Sequence, residues 1–265
     1  MPSITFKDVE AARAITPKRF RFSEHPCVRD KGECHSVGLK FPSLKRLFIA
    51  DTGIPVLEGP YGPYRLLTDR GQIQAALEWQ DRYSSLIFLR DTLNCSVAID
   101  FNLASPGVYT ELGQAENDAK NSRKSTATKE LANASADTIE KVLFYRESDA
   151  ICAVPPAPGK DWDLPTEIVK YVATKSKKEN LSPHINFSKE KQSVKSLSLD
   201  DKWKALESAG LRANSRFKGK RVILLDDKYQ SGTTAQFIAS KLYEAGATEV
   251  NGLFCVKTWR DTDNL

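Results

Sequence analysis

The C-terminal half of the chain alternates short apolar runs with segments whose apolar positions recur at helical spacing. Residues 149–154, 221–226 and 249–256 are nearly continuous hydrophobic runs of strand length, which predicts strands buried on both faces. Between them, Ile168, Val169 and Val172 share one face of a helix predicted over 164–174. Phe237, Ile238 and Leu242 do the same over 233–245, with Gly246 at the C-terminal cap. A further short strand is predicted at 184–187. Strand, helix and strand in succession with short connections imply right-handed crossovers onto a parallel sheet, hence an α/β fold.

Upstream, Leu112, Ala115, Leu131, Ala134, Ile139, Val142 and Leu143 punctuate a long polar stretch, and the break at 121–126 predicts two helices. The first hundred residues have another texture. Prolines recur (Pro26, Pro42, Pro55, Pro60, Pro63), one helix is predicted at 71–82, and strands at 85–89 and 95–101. The pattern predicts a mixed α+β accessory region over 1–108 and a parallel-sheet α/β domain over 109–265, divided near Ser105-Pro106-Gly107. No internal repeat and no Gly-x-Gly-x-x-Gly dinucleotide fingerprint occur.

Composition narrows the class. With 265 residues, 40% hydrophobic and 28% charged, the chain can bury a core without staples. No window approaches the roughly 18 apolar residues of a membrane span. The opening residues carry charges where a secretory signal needs an apolar stretch, and five cysteines are sparse and odd in number. A cytoplasmic protein without disulfides is expected, with Cys95, Cys152 and Cys255 in the core. The formal charge of +5 is mild but unevenly placed: residues 170–221 hold 14 basic and five acidic side chains. That stretch is either a solvated lysine-rich loop or an anion site.

The chemistry concentrates after the strand at 221–226. Asp226 and Asp227 are followed by Lys228 and Tyr229, then by Gln230, Ser231, Gly232, Thr233 and Thr234, which lead into the helix. Small and hydroxyl residues at a helix N-terminus present N–H and O–H donors to a phosphate, aided by the positive end of the helix dipole. The two carboxylates before the loop suit the hydroxyl pair of a ribose, so a 5-phosphorylated ribose fits both halves. Alternatively, the two acids cap the following helix.

The run Val222-Ile-Leu-Leu-Asp-Asp-Lys-Tyr-Gln-Ser-Gly-Thr-Thr234 resembles the phosphoribosyl-diphosphate (PRPP) signature of type I phosphoribosyltransferases. With Tyr109-Thr-Glu-Leu-Gly113, Ala153-Val-Pro-Pro-Ala-Pro-Gly-Lys160 and Lys218-Gly-Lys-Arg-Val222, the resemblance extends over about 109–263 and is to the ComF-like branch of that superfamily. It implies a phosphoribosyltransferase fold and transfer of the 5-phosphoribosyl group to a nucleobase-like acceptor with release of pyrophosphate. By the resemblance, Asp226 and Asp227 hold the ribose hydroxyls and Mg²⁺, and Gln230, Ser231, Gly232, Thr233 and Thr234 cradle the 5-phosphate. Pro155, Pro156, Ala157 and Lys160 line the pyrophosphate loop, and Lys189, Lys191 and Lys195 lie on a hood. Such a reaction needs electrostatic stabilisation rather than a protein nucleophile. The alternative is a non-catalytic effector that binds a nucleotide or single-stranded DNA in a bacterial DNA-uptake or reverse-transcriptase-associated phage-defence assembly, with a protein partner or as an oligomer.

Two further clusters have competing readings. His25, Cys27, Cys34 and His35 are zinc-type ligands within eleven residues, although their spacing is not the paired Cys-x₂-Cys pattern; the alternative is loop residues without a ligand. Tyr61-Gly-Pro-Tyr64 with Arg65, and Pro17-Lys-Arg-Phe-Arg-Phe22, interleave aromatic and basic residues as base-stacking surfaces do, or simply pack in turns.

Overall fold

The computed structural model describes residues 3–189 and 197–260. Seven strands form the central sheet: β1 (Arg19–Phe20), β2 (Ile87–Leu89), β3 (Ser96–Phe101), β4 (Ala150–Ala153), β5 (Glu179–Asn180), β6 (Arg221–Tyr229) and β7 (Glu249–Lys257). Their spatial order is β1-β2-β3-β7-β6-β4-β5. The five strands from β3 to β5 run parallel, and β2 and β1 extend one edge antiparallel. The helices are α1 (Phe6–Ala14), α2 (Pro42–Thr52), α3 (Arg70–Arg82), α4 (Glu111–Ser122), α5 (Ser125–Lys141), α6 (Leu143–Arg146), α7 (Leu164–Ser176), α8 (Leu199–Ser208) and α9 (Thr233–Glu244). This is the α/β architecture with a mostly parallel sheet that the alternation of apolar runs predicts.

Strand β6 explains why those runs are uninterrupted. Ile223 and Leu225 enter the core with the apolar faces of α4, α5 and α7, while Val222 and Leu224 enter the core under α8 and α9; all four are fully buried. Successive side chains leave a strand on opposite faces, so a sheet covered on both sides needs apolar residues at every position. The cores also absorb Cys95, Cys152 and Cys255 as expected.

Connectivity then fixes where a crevice opens. From β4 the chain passes through α7 to β5, outward; from β6 it passes through α9 to β7, in the other direction across the sheet. Right-handed crossovers in opposite directions must put their helices on opposite faces, as α7 and α9 are. Neighbouring strands β4 and β6 therefore diverge at their C-terminal ends, the switch point where α/β sheets bind ligands.

Several boundaries differ from expectation. Strand β6 continues through Asp226 and Asp227 to Tyr229, because β7 pairs with it as far as Lys257. The run at 184–187 divides into a 3₁₀ turn, Ser182–His184, and a strand, Ile185–Phe187, that pairs antiparallel with Leu211–Ala213 outside the central sheet. The place beside β4 goes to β5, a two-residue polar strand at the sheet edge. Only Arg123 and Lys124 separate α4 from α5, and Arg123 turns the chain in the left-handed region at φ 50°.

Residues before 108 supply β1, β2 and β3, and β3 pairs directly with β7. They also form a three-stranded antiparallel sheet of Val28–Asp30, His35–Gly38 and Tyr64–Leu67. Among the described residues, no helix is long and apolar enough to cross a membrane.

Helix α4 lies unusually close to the chain leaving β3. A Cβ on Gly113 would stand 1.9 Å from the Asn102 carbonyl oxygen. Gly113→Ala should gain ~1 kcal/mol of helix propensity. Overpacking against an unyielding backbone costs ~1–3 kcal/mol, and this contact belongs at the upper end. The expected net result is a variant about 2 kcal/mol less stable, seen as a lower urea midpoint at unchanged slope; a stabilised variant would overturn the close approach.

Candidate functional site

A cavity of about 820 Å³ opens at the switch point. Its geometry follows from register. The last paired residue of β4, Ala153, lies opposite Leu225, so β4 stops one residue short of Asp226 while β6 continues against β7 alone. The chain after β4 swings away as the loop 154–163, and the space between this loop and the end of β6 is the cavity.

Most of the predicted binding residues meet there. Asp226, Asp227, Gln230, Ser231, Gly232 and Thr234 line one side, and Pro155, Pro156, Ala157 and Lys160 line the other. Thr233 is the exception in that loop: it is buried as the first residue of α9, with its hydroxyl 3.0 Å from the Ser231 hydroxyl. Lys189 is exposed, does not line the cavity, and donates its backbone N–H to the Ala209 carbonyl. Lys191 and Lys195 lie outside the described residues.

In the loop 230–234 the Thr233 N–H donates to the Ser231 hydroxyl at 3.5 Å. Gly232 caps α9 at φ +74° without a side-chain cap bond. A Cβ at this position would also stand 2.2 Å from the Tyr229 hydroxyl. Two independent constraints thus require glycine, a left-handed backbone and a tyrosine packed beneath it. The first N–H groups of α9 have no intrahelical partner by geometry, and Thr234 and Ser231 add hydroxyls to the rim. Donors grouped at a helix N-terminus in this way suit an anion.

The carboxylates carry the opposite charge. Asp227 is buried and accepts an ion pair from Lys120 of α4. Lys120 also lies 3.4 Å from Glu116, which is almost wholly buried and holds Lys228 at 2.6 Å. Burial and the Asp227 carboxylate push the Asp226 carboxyl well above the ordinary carboxylate range, against the pull of Lys120. Burial alone would lower Lys120, but Asp227 and Glu116 outweigh it and raise the amine. Asp163, the N-cap of α7, is likewise raised, chiefly by burial, although Thr166 donates to it and Lys160 stands 3.6 Å away.

Sequence patterning missed Glu116, Lys120, Arg123, Trp162, Asp163 and Lys202, because each lies on a helix or loop whose approach to the cavity depends on tertiary packing. Arg123, in its left-handed turn, stacks its guanidinium 5.2 Å over the Trp162 ring at the cavity wall. Lys202 is buried on α8 and lines the cavity. The rest of the lysine-rich stretch largely points elsewhere. Arg216 and Lys220 pair with Glu179, Arg221 pairs with Glu147 and Asp149, and Lys178 donates to the carbonyls of Arg146 and Ser148. These contacts gather where β6 begins, at the far end of the sheet from Asp226.

The first hundred residues reach the loop 230–234 from below. Arg13 of α1 donates to the Ser231 carbonyl at 2.6 Å. The backbone N–H and hydroxyl of Thr92 both donate to Gln236 Oε1 at 3.1 Å. Asp91 accepts from the Leu93 N–H at 3.0 Å and the Ser96 hydroxyl at 2.9 Å, and lies 3.4 Å from the Tyr229 hydroxyl. Burial of this carboxyl pushes it up to about 7 despite those bonds.

For two clusters the structure favours one of the competing readings. Zinc is not supported: Cys27 is buried in the core, His25 packs beside Phe20, and His35 pairs opposite Asp30 in a hairpin. Among the described residues no three His, Cys, Asp or Glu side chains converge as a metal site. The segment 17–22 is no base-stacking surface either, since Phe22 is 2% exposed and meets Trp79 and Phe88 edge-on. The rings were needed for the core.

No family model matches the chain, and no curated protein matches it. Among solved structures it is similar to a glutamine PRPP amidotransferase from B. subtilis complexed with ADP and GMP, at 17% identity and a TM-score of 0.34 over 84% of this chain and 46% of that one. It is also similar to a structure described as the allosteric regulatory enzyme of purine biosynthesis, at 16% identity and a TM-score of 0.31 over 84% of this chain and 45% of that one. The chain therefore spans less than half the length of either.

Asp91 makes stability depend on pH. Its folded pKa is raised, so the folded chain keeps a proton that the unfolded chain releases near pH ~4. The contribution is complete below that value and is lost as pH rises through about 7. Asp91→Asn keeps an oxygen acceptor for Ser96 and Leu93 but cannot ionise. Relative to wild type, its unfolding free energy should rise by ~1–3 kcal/mol between pH 5 and pH 8, measured by urea unfolding at both; a constant difference would refute the assignment.

Proposed function

We propose that this chain binds PRPP together with Mg²⁺ and transfers the 5-phosphoribosyl group to a nucleobase-like acceptor, releasing pyrophosphate. One observation carries the reading. An anion cradle at 230–234, two adjacent carboxylates and a second loop bearing Lys160 face a single cavity lined by five cationic side chains, Lys120, Arg123, Lys160, Lys202 and Lys228. The two loops stand on either side of the carboxylate pair, and a ribose carrying phosphate groups at both ends matches that arrangement.

In this reading the 5-phosphate sits on the α9 N-terminus, held by the N–H groups after Gly232 and by the Ser231 and Thr234 hydroxyls. Asp226 and Asp227 accept hydrogen bonds from the ribose hydroxyls, which fixes the sugar across the end of β6. Carboxylate oxygens are the donor type that a hard divalent cation prefers, so the same pair would hold Mg²⁺ in company with the ligand's own oxygens. When bound, the ion neutralises charge on the diphosphate. The bond from the anomeric carbon to the diphosphate breaks with its electron pair leaving on oxygen, the acceptor nitrogen supplies the pair for the new bond, and its proton is released. Lys120, Lys228 and Lys160 oppose the negative charge that grows on the leaving group. The burial of Phe22 and its neighbours argues against the single-strand-binding alternative over 17–22.

Calorimetric titration with PRPP and Mg²⁺ tests the reading. Wild type should bind, and Gly232→Ala should weaken binding by at least about tenfold, because the loop cannot keep both its left-handed turn and its contact with Tyr229. Asp227→Asn should weaken it comparably. A wild type that fails to bind would sink the proposal. Binding without pyrophosphate release across a panel of nucleobases would leave a binding module rather than a transferase.

A further inference from the structure

Glu116 is the least expected group near the cavity. Its side chain is 2% exposed, yet it carries no apolar-packing role and contacts two ammonium groups: Lys228 at 2.6 Å from one carboxylate oxygen and Lys120 at 3.4 Å from the other. Lys120 in turn reaches Asp227. The result is an alternating chain of charge, Lys228 to Glu116 to Lys120 to Asp227, that begins and ends on strand β6 and passes through helix α4. A carboxylate this buried costs several kcal/mol of desolvation unless it is paired, and pairing it twice offsets that cost. Lysine side chains otherwise sample many rotamers on a four-carbon stem. Held by one rigid acceptor, both amines occupy fixed positions at the cavity wall.

Resting on the reading above, we propose that Glu116 is a positioning residue for the diphosphate end of the ligand: it clamps Lys120 and Lys228 so that their charge is already aimed at the leaving group. Its helix makes this possible. Gly113, one turn earlier on α4, lets the helix settle against Asn102, and any outward shift of α4 would carry Glu116 away from the end of β6. The 5-phosphate end is held by other residues, those of 230–234, and does not touch this chain of charge. The two ends of the ligand should therefore respond differently when Glu116 is changed.

The test compares three probes by calorimetry: PRPP with Mg²⁺, inorganic pyrophosphate with Mg²⁺, and ribose 5-phosphate. Glu116→Gln should weaken the first two by about tenfold, the scale found when residues that orient binding groups are lost. Its affinity for ribose 5-phosphate, which keeps the contacts of 230–234 and feels the change only through Lys120 and Asp227, should fall by less than about threefold. Lys228→Gln, a change at a partly exposed side chain, should produce the same selectivity, and the double variant should be little worse than Glu116→Gln because the two act as one unit. If Glu116→Gln binds pyrophosphate like wild type, or weakens all three probes alike, or if the two changes add independently, the clamp is refuted. If Glu116→Gln fails to fold, the Lys228→Gln selectivity decides alone. If wild type binds neither PRPP nor pyrophosphate, the functional reading fails first and takes the clamp with it, an outcome distinct from the others.

Discussion

Everything at the candidate site depends on one topological constraint: β4 and β6 are neighbours whose connections leave in opposite directions. Right-handed crossovers then force α7 and α9 onto opposite faces, and no helix can cover the gap between the two strand ends. Register sharpens the constraint. Pairing of β4 ends at Ala153, opposite Leu225, and β6 runs on with β7 as its remaining neighbour. Asp226 and Asp227 therefore stand on rigid strand backbone with open space on one side. A carboxylate on a strand end is held far more tightly than one on a mobile loop.

The same geometry creates an electrostatic problem that the surrounding residues answer. Two adjacent carboxylates, with Asp163 and Glu116 nearby, are partly or wholly removed from water, and each would lose several kcal/mol if left alone. Lys120 and Lys228 supply the counter-charge from within the chain. These pairs differ in kind from those at the far end of the sheet, such as Arg216 and Lys220 with Glu179, where solvent screens the interaction to about 0–1 kcal/mol. The surplus of basic residues over 170–221 thus looks like one feature along the chain but serves two purposes in space. Lys202 faces the cavity, whereas Lys178, Arg216, Lys220 and Arg221 brace the opposite end of the sheet.

How much of this was legible follows from the range of the interactions. The buried strands and the amphipathic helices α7 and α9 are local patterns, written in Val222 to Leu225 and in Phe237, Ile238 and Leu242, so period and burial revealed them. The loop 230–234 was legible because its chemistry is contiguous. Glu116 was not: in sequence it is one acid in a polar helix, and only the approach of α4 to the end of β6 gives it two lysines to hold. Strand β5 was hidden because two polar residues, Glu179 and Asn180, carry no pattern of their own and are recruited by the edge of β4. Phe20 and Phe22 left two readings open for a related reason, since alternation with Lys18, Arg19 and Arg21 looks the same whether the rings face solvent or a core.

The first hundred residues brace the loop 230–234. Composition set them apart, yet β3 pairs with β7, and Arg13, Asp91 and Thr92 reach Ser231, Tyr229 and Gln236. These contacts answer a specific mechanical need. Within the loop the Ser231 hydroxyl meets the Thr233 hydroxyl at 3.0 Å and accepts from the Thr233 N–H at 3.5 Å, and groups outside the loop fix the rest of its shape. Tyr229 beneath Gly232 prevents the loop from sinking, Asp91 fixes Tyr229, and Arg13 holds the Ser231 carbonyl from the far side. The shape of the loop 230–234 thus depends on hydrogen bonds from a segment distant in sequence. The N-terminal strands and the loop they brace form one mechanical unit around α9.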